Sequence, residues 1–171
     1  VDYSYSWWVN GAAVSTADSL DLAGYLPGDQ VTLILTPNDG SSDGDSLTSP
    51  PVAVVNLAPT VTSLAILPAN PTTVDDLGVD FQTADAEGDT VNATVQWSVN
   101  GIIVSNTGSS LSSNLFGKHD TVTVQLTPAD VYDVGTASIA SVSVVNTAPS
   151  ITGVTLSPPN PTVEDILTCA P

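Results

Sequence analysis

Ala93-Thr94-Val95-Gln96-Trp97-Ser98-Val99-Asn100-Gly101 is the stretch from which the fold can be read. Ala93, Val95, Trp97 and Val99 alternate with Thr94, Gln96, Ser98 and Asn100. A period of two belongs to a strand with one buried face. Asn100-Gly101 supplies the residues that a two-residue hairpin of the right twist needs. The stretch predicts a half-buried strand running into a tight hairpin, with Trp97 inside. Its signature occurs once before, as Trp7-Trp8-Val9-Asn10-Gly11, 90 residues upstream.

Further landmarks keep that spacing. Asn56-Leu57-Ala58-Pro59 recurs as Asn146-Thr147-Ala148-Pro149 at an offset of 90. Pro68-Ala69-Asn70-Pro71-Thr72 recurs as Pro158-Pro159-Asn160-Pro161-Thr162, again at 90. Leu35-Thr36-Pro37 matches Leu126-Thr127-Pro128 at 91, so one loop has gained a residue and another has lost one. Ordered landmarks at a fixed period are the signature of a repeat architecture. The frame predicts the back part of one repeat at 1–57, a complete repeat at 58–147, and the front of a third at 148–171. Between the chain's end and the start of another copy, one period lacks the equivalent of residues 82–90.

Alternation places strands at about 61–67, 77–83, 92–99, 101–105, 110–114, 121–127 and 136–145. Gly, Pro, Asn and Asp fill the gaps, and no segment joins helical periodicity to caps. Seven short strands in a 90-residue period predict an all-β Greek-key sandwich.

Composition narrows the function classes. Eighteen acidic residues face one basic residue, Lys118, for a formal charge of −17. Nucleic acid is excluded as a partner, because binding it requires several Lys or Arg on phosphates. An anionic membrane surface is excluded for the same reason. No apolar run approaches the ~20 residues of a spanning helix. At 42% hydrophobic residues and a mean hydropathy of +0.23, the chain is too apolar for a solvated tail. The absence of methionine predicts a mature or internal fragment. Strong acidity suits an extracellular, self-repelling surface.

The Asn-x-Ala-Pro linkers, the Asn70-Pro71-Thr72 turn before Asp75-Asp76-Leu77, and the loop Asp85-Ala86-Glu87-Gly88-Asp89 carry a resemblance. With Trp97-Ser98-Val99-Asn100-Gly101 and Leu126-Thr127-Pro128, they resemble tandem immunoglobulin-like repeats of bacterial and archaeal surface proteins. Cadherin-like and polycystic-kidney-disease-type modules are similar in outline. The resemblance implies that the loops after the second and sixth strands gather where the chain enters each sandwich. It also places Cys169 on a second strand, aligned with Val79, where such repeats commonly hold a cysteine paired with the sixth strand. Leu33 and Val124 occupy the sixth-strand positions here, which implies a free thiol.

Little in the sequence supports catalysis. His119 is the only histidine and lies in the turn Gly117-Lys118-His119-Asp120; its counterpart Pro27-Gly28-Asp29 has none. A triad needs a base beside its nucleophile. Paired carboxylates for glycoside hydrolysis need a concave pocket, which turns at sandwich ends do not predict. Metal ligation suits the acidic loops better. Asp85, Glu87, Asp89, Asp130 and Asp133 offer hard oxygen ligands beside glycine-containing turns, the chemistry of Ca²⁺. Asp39, Asp43 and Asp45 form the related loop of the first repeat. Trp8, whose counterpart is Ser98, is expected on the outer face, where it would stack on a sugar or anchor a protein contact. Asn92-Ala93-Thr94 is an N-glycosylation acceptor.

These readings predict a non-enzymatic structural unit of an extracellular cell-surface rod or filament, a stalk or fibre. Its partners are neighbouring copies of itself, joined head to tail or as one continuous repeat protein. Residues 148–171 are expected to complete the 1–57 sandwich of a neighbouring copy. The alternative is a carbohydrate- or protein-binding accessory or adhesin module, which should repeat an aromatic cluster. Trp8 does not recur.

Overall fold

The computed structural model describes residues 1–105 and 108–170. The chain divides into two compact units. One joins Val1–Leu64, Phe81–Val95 and Gln125–Ile139; the other joins Ala65–Asp80, Gln96–Val124 and the chain from Ala140 onward.

In the first unit, β1 (Asp2–Val9), β2 (Ala12–Ser15), β3 (Gln30–Asn38), β4 (Leu47–Thr48) and β5 (Val52–Ala53) build one antiparallel sheet. Its order is β2-β1-β3-β4, with β5 also on β3. β1 and β3 pair without interruption from Asp2 opposite Asn38 to Val9 opposite Val31. The β1–β2 hairpin turns through Asn10 (φ 51°) and Gly11 (φ 79°), as the Asn-Gly signature predicts. Asn10 is also a strut: its Nδ2 donates to Asp29 Oδ1 at 2.7 Å, and its Oδ1 accepts the Gln30 amide at 2.9 Å. Trp7 sits opposite Leu33 and is half-buried. Beside it lies an apolar cleft of about 280 Å³, walled by Trp7, Leu20, Leu22, Val31, Leu33 and Val52.

The 58–147 stretch carries β6 (Thr60–Leu67), β7 (Leu77–Ala84), β8 (Asn92–Val99), β9 (Ile102–Ile103), β10 (Ser110–Leu111), β11 (Thr121–Ala129) and β12 (Ser138–Ser143). They form two sheets, β10-β7-β6 and β12-β11-β8-β9, the two layers of an immunoglobulin-like sandwich. Three strands are shorter than the alternation pattern predicts. β9 is shorter than 101–105, and β12 is shorter at both ends than 136–145. β10 stops at Leu111 because the chain enters a 3₁₀ turn over Ser113–Leu115. Asp76 Oδ1 holds that turn by accepting the Ser113 amide at 2.6 Å.

The second unit contains the driest part of the core. Leu77 and Leu111 of one sheet, and Trp97, Val122 and Val124 of the other, are essentially inaccessible. Burying each aliphatic side chain contributes about 1.5–3 kcal/mol. Trp97 keeps its one polar group satisfied, donating from Nε1 to the Gly108 carbonyl at 2.9 Å. A parallel bridge joins Thr72 to Val145, with the Val145 amide on the Pro71 carbonyl at 2.8 Å. The tail carries β13 (Thr155–Ser157) and β14 (Thr168–Ala170), a two-stranded sheet with Leu156 opposite Cys169. Its apolar side chains, Ile151, Val154, Leu156, Val163, Ile166 and Leu167, are exposed.

Candidate functional site

The linker Asn56-Leu57-Ala58-Pro59 and both acidic loops belong to the first unit. Asp85, at the end of β7, shapes its loop as an Asx turn. Its Oδ1 accepts the amides of Glu87 at 2.9 Å and Asp89 at 3.0 Å. Gly88 takes φ 85°, which glycine adopts without strain. This fold-back brings carboxylate oxygens of Asp85, Glu87 and Asp89 within 4.8 Å of one another.

Asp130 organises the second loop in the same way. Its Oδ1 accepts the amides of Tyr132 at 2.7 Å and Asp133 at 2.6 Å. The Asp133 amide, with help from the Asn56 side chain and the Tyr132 amide, holds the Asp130 carboxyl below the usual aspartate range. Asp130 and Asp133 do not join the three-carboxylate cluster; they converge on the linker. Asn56 Nδ2 donates to Asp130 Oδ2 at 3.1 Å and to Asp133 Oδ2 at 3.2 Å. The Leu57 amide donates to Glu87 Oε2 at 3.2 Å. Pro59 is buried beside Gly135, where a Cβ would overlap the Pro59 carbonyl and lie 3.0 Å from Pro128 Cγ. The linker is therefore fixed by both loops and by a glycine that leaves room for its backbone.

Two oxygens at this junction, Asn56 Oδ1 and Asp85 Oδ2, are buried without a hydrogen-bond partner. A buried oxygen without a donor is costly, and a cation removes that cost. The three clustered carboxylates, with no sulfur or imidazole among them, are donors that fit a hard divalent ion.

The other residues singled out by the sequence lie apart. Trp8 is half-buried rather than projecting, and its indole N–H donates to Ser6 Oγ on the same strand at 2.9 Å. Asn92 is exposed at the start of β8. His119 is exposed at φ 71°, its amide on the Val144 carbonyl at 2.8 Å. Cys169 is exposed and free. In the first repeat, Asp43 accepts from Asn38 Nδ2 at 2.7 Å, and Asp39 Oδ1 accepts the Ser41 and Ser42 amides at 2.9 and 3.0 Å. Sequence reasoning missed an open cleft of about 660 Å³ beside the linker, whose lining includes Tyr25, Leu26, Glu87, Asp89 and Tyr132. Its aromatics come from different loops of different repeats, so no local pattern announces it.

No helix among the described residues is long and apolar enough to cross a membrane. No family model matches the chain, and no curated protein does. Among solved structures, the crystal structure of the chicken CNTN1 FN1–FN3 domains is similar at a TM-score of 0.40 and 12% identity. The match covers 90% of this chain and 61% of that one, so this chain spans about three fifths of that chain's length. A likeness that distant carries no argument about function, and the fold stands on the strand order and register above.

Proposed function

We propose that the chain is a structural repeat unit of an extracellular rod or filament on a cell surface, with successive sandwiches in series. Its frame is 1–57, 58–147 and 148–171. The observation that carries this reading is the fixed linker. Asn56 is held by Asp130 and Asp133, Leu57 by Glu87, and Pro59 rests on Gly135. A chain that only needed to tether modules would leave such a segment free, whereas a rod needs it ordered. The test is ¹⁵N relaxation on the 171-residue chain. Linker amides as ordered as those of β3 support the rod; amides with the low order parameters of a flexible tether remove it.

We also infer a hard divalent cation, Ca²⁺ by its preference for carboxylate and amide oxygen, at Asp85, Glu87 and Asp89, with Asp130 and Asp133 ordering the adjoining linker. The unpartnered Asp85 Oδ2 supports this reading. Calcium should raise the melting temperature at low salt and EGTA should reverse the rise. Asp85→Asn with Asp89→Asn should abolish the response. An unchanged melting temperature on adding calcium would leave a solvated acidic turn. Asn92 is the proposed glycan acceptor, tested by the mass of chain secreted from a glycosylating host.

A further inference from the structure

Both Asn-Gly hairpins hold the same side-chain lock. At the first, Asn10 Nδ2 donates to Asp29 Oδ1 and Asn10 Oδ1 accepts the Gln30 amide, at 2.7 and 2.9 Å. At the second, Asn100 Nδ2 donates to Asp120 Oδ1 and Asn100 Oδ1 accepts the Thr121 amide, at 2.8 and 3.0 Å. The aspartate is a knot in each case. Its Oδ2 accepts the amide three residues upstream, from Leu26 at 2.9 Å and from Gly117 at 2.7 Å. Its carbonyl accepts the amide just past the edge strand, from Val54 at 2.8 Å and from Val144 at 2.9 Å. The two locks lie in different units, so each is a separate instance of one arrangement.

Asn10 and Asn100 are also the two asparagines of the chain that precede glycine. In that dipeptide an asparagine readily loses its side-chain amide. The glycine nitrogen, its proton taken by base, attacks Asn Cγ. A C–N bond forms, and the side-chain nitrogen takes up a proton and leaves as ammonia. Water then opens the five-membered succinimide at either carbonyl, giving aspartate or isoaspartate. Glycine favours the attack because no side chain shields its nitrogen. Both turns are exposed, and a Cβ on Gly11 or Gly101 would meet nothing within 4 Å. Water and hydroxide therefore reach the reacting atoms. A free side chain is what they do not meet. Ring closure requires the asparagine to turn so that Cγ meets the glycine nitrogen, and a side chain tied at both Nδ2 and Oδ1 cannot turn.

We propose that Asn10 and Asn100 are deamidation sites, each held closed by its own aspartate, Asp29 and Asp120. The modification is hydrolytic loss of ammonia and needs no enzyme. The inference does not depend on the rod reading. Its product undoes the lock. Where Asn100 Nδ2 donates to Asp120 Oδ1, the modified residue presents a carboxylate oxygen, and two carboxylates that close repel. The hairpin end of β8 then loses its side-chain tie to the turn before β11. Isoaspartate also routes the main chain through the side-chain carbons, which lengthens the turn. The same holds for Asn10 against Asp29 at the end of β1.

Mass spectrometry of peptic peptides, after incubating the 171-residue chain at mildly alkaline pH, reads each site separately. In the folded chain both sites should react at least about tenfold more slowly than in the same chain unfolded by urea, because a hydrogen bond to a charged group must break first. Asp120→Ala should speed the reaction at Asn100 by about tenfold and leave Asn10 slow. Asp29→Ala should do the reverse. The two sites report against each other, since a variant that merely unfolds would speed both. Acceleration of both sites in each variant overturns a local lock, and so does an Asp120→Ala chain in which Asn100 reacts no faster than in the parent. The parent alone supplies a check without a variant: equal rates folded and in urea overturn the proposal.

Discussion

Trp97 and Trp7 share a motif but not an environment, and the difference is measurable. Trp97 is fully buried, whereas Trp7 borders an open cleft. Trp97→Ala should cost roughly 3–5 kcal/mol and Trp7→Ala clearly less, in urea unfolding followed by circular dichroism. Equal losses would mean that the first sheet is covered in solution. Gly135 makes a second case. Its importance comes from the Pro59 backbone beside it rather than from its own torsion angles. Gly135→Ala should displace the linker and expose Pro59, seen as lost chemical-shift identity at residues 57–60 with β3 unchanged. The burial of Trp97 was legible because alternation is local, whereas alternation did not separate Trp7 from Trp8, which are both half-buried. The glycine was not, because its partner lies far off in sequence.

At the scale of elements, the turn before the central strand depends on one carboxylate. Asn100 Nδ2 donates to Asp120 Oδ1 at 2.8 Å, the Gly117 amide donates to Oδ2 at 2.7 Å, and Asn100 Oδ1 accepts the Thr121 amide at 3.0 Å. The Asn100 side chain first, then the Gly117 amide, holds the Asp120 carboxyl below the usual aspartate range. A depressed folded-state value contributes stability that is present above the unfolded value and lost as pH falls through the folded one. The Asn100 side-chain amide resonances should therefore titrate with a midpoint below the ordinary aspartate value of ~3.9. A midpoint at or above it would contradict the bonding described. The hairpin itself was legible from Asn-Gly; its tie to Asp120 was not, since nothing local links residue 100 to residue 120. The broken edge of the first sheet has a plainer cause. From Gly44 to Val54 the chain takes one more step than from Gly135 to Val144, and Pro50-Pro51 falls in that interval, between β4 and β5. Proline cannot donate to a ladder, so the edge is two short strands rather than one. Pro50→Thr with Pro51→Thr should lengthen the edge and raise aggregation on heating, read by light scattering.

For the molecule as a whole, the all-β sandwich class was legible from alternation and turn spacing, and the order of strands within each sheet was not. The resemblance placed both acidic loops where the chain enters the sandwich; the individual bonds that hold the linker were not legible, because they join side chains 74 and 77 residues apart, Asn56 to Asp130 and Asp133. Asn56→Ala should lower the order parameters of residues 56–59 and leave the core strands' amide exchange unchanged. Order retained without the amide would assign the stiffness to Pro59 and Gly135 alone. The parallel bridge between Thr72 and Val145 bears on what happens when such a chain is pulled. Tension arriving through Pro59 runs along β6 to Pro71, and tension leaving through Asn146 runs from Val145. Parallel neighbours drawn apart by their opposite ends slide past each other instead of unzipping, so the Val145–Pro71 hydrogen bond is sheared before the sandwich opens.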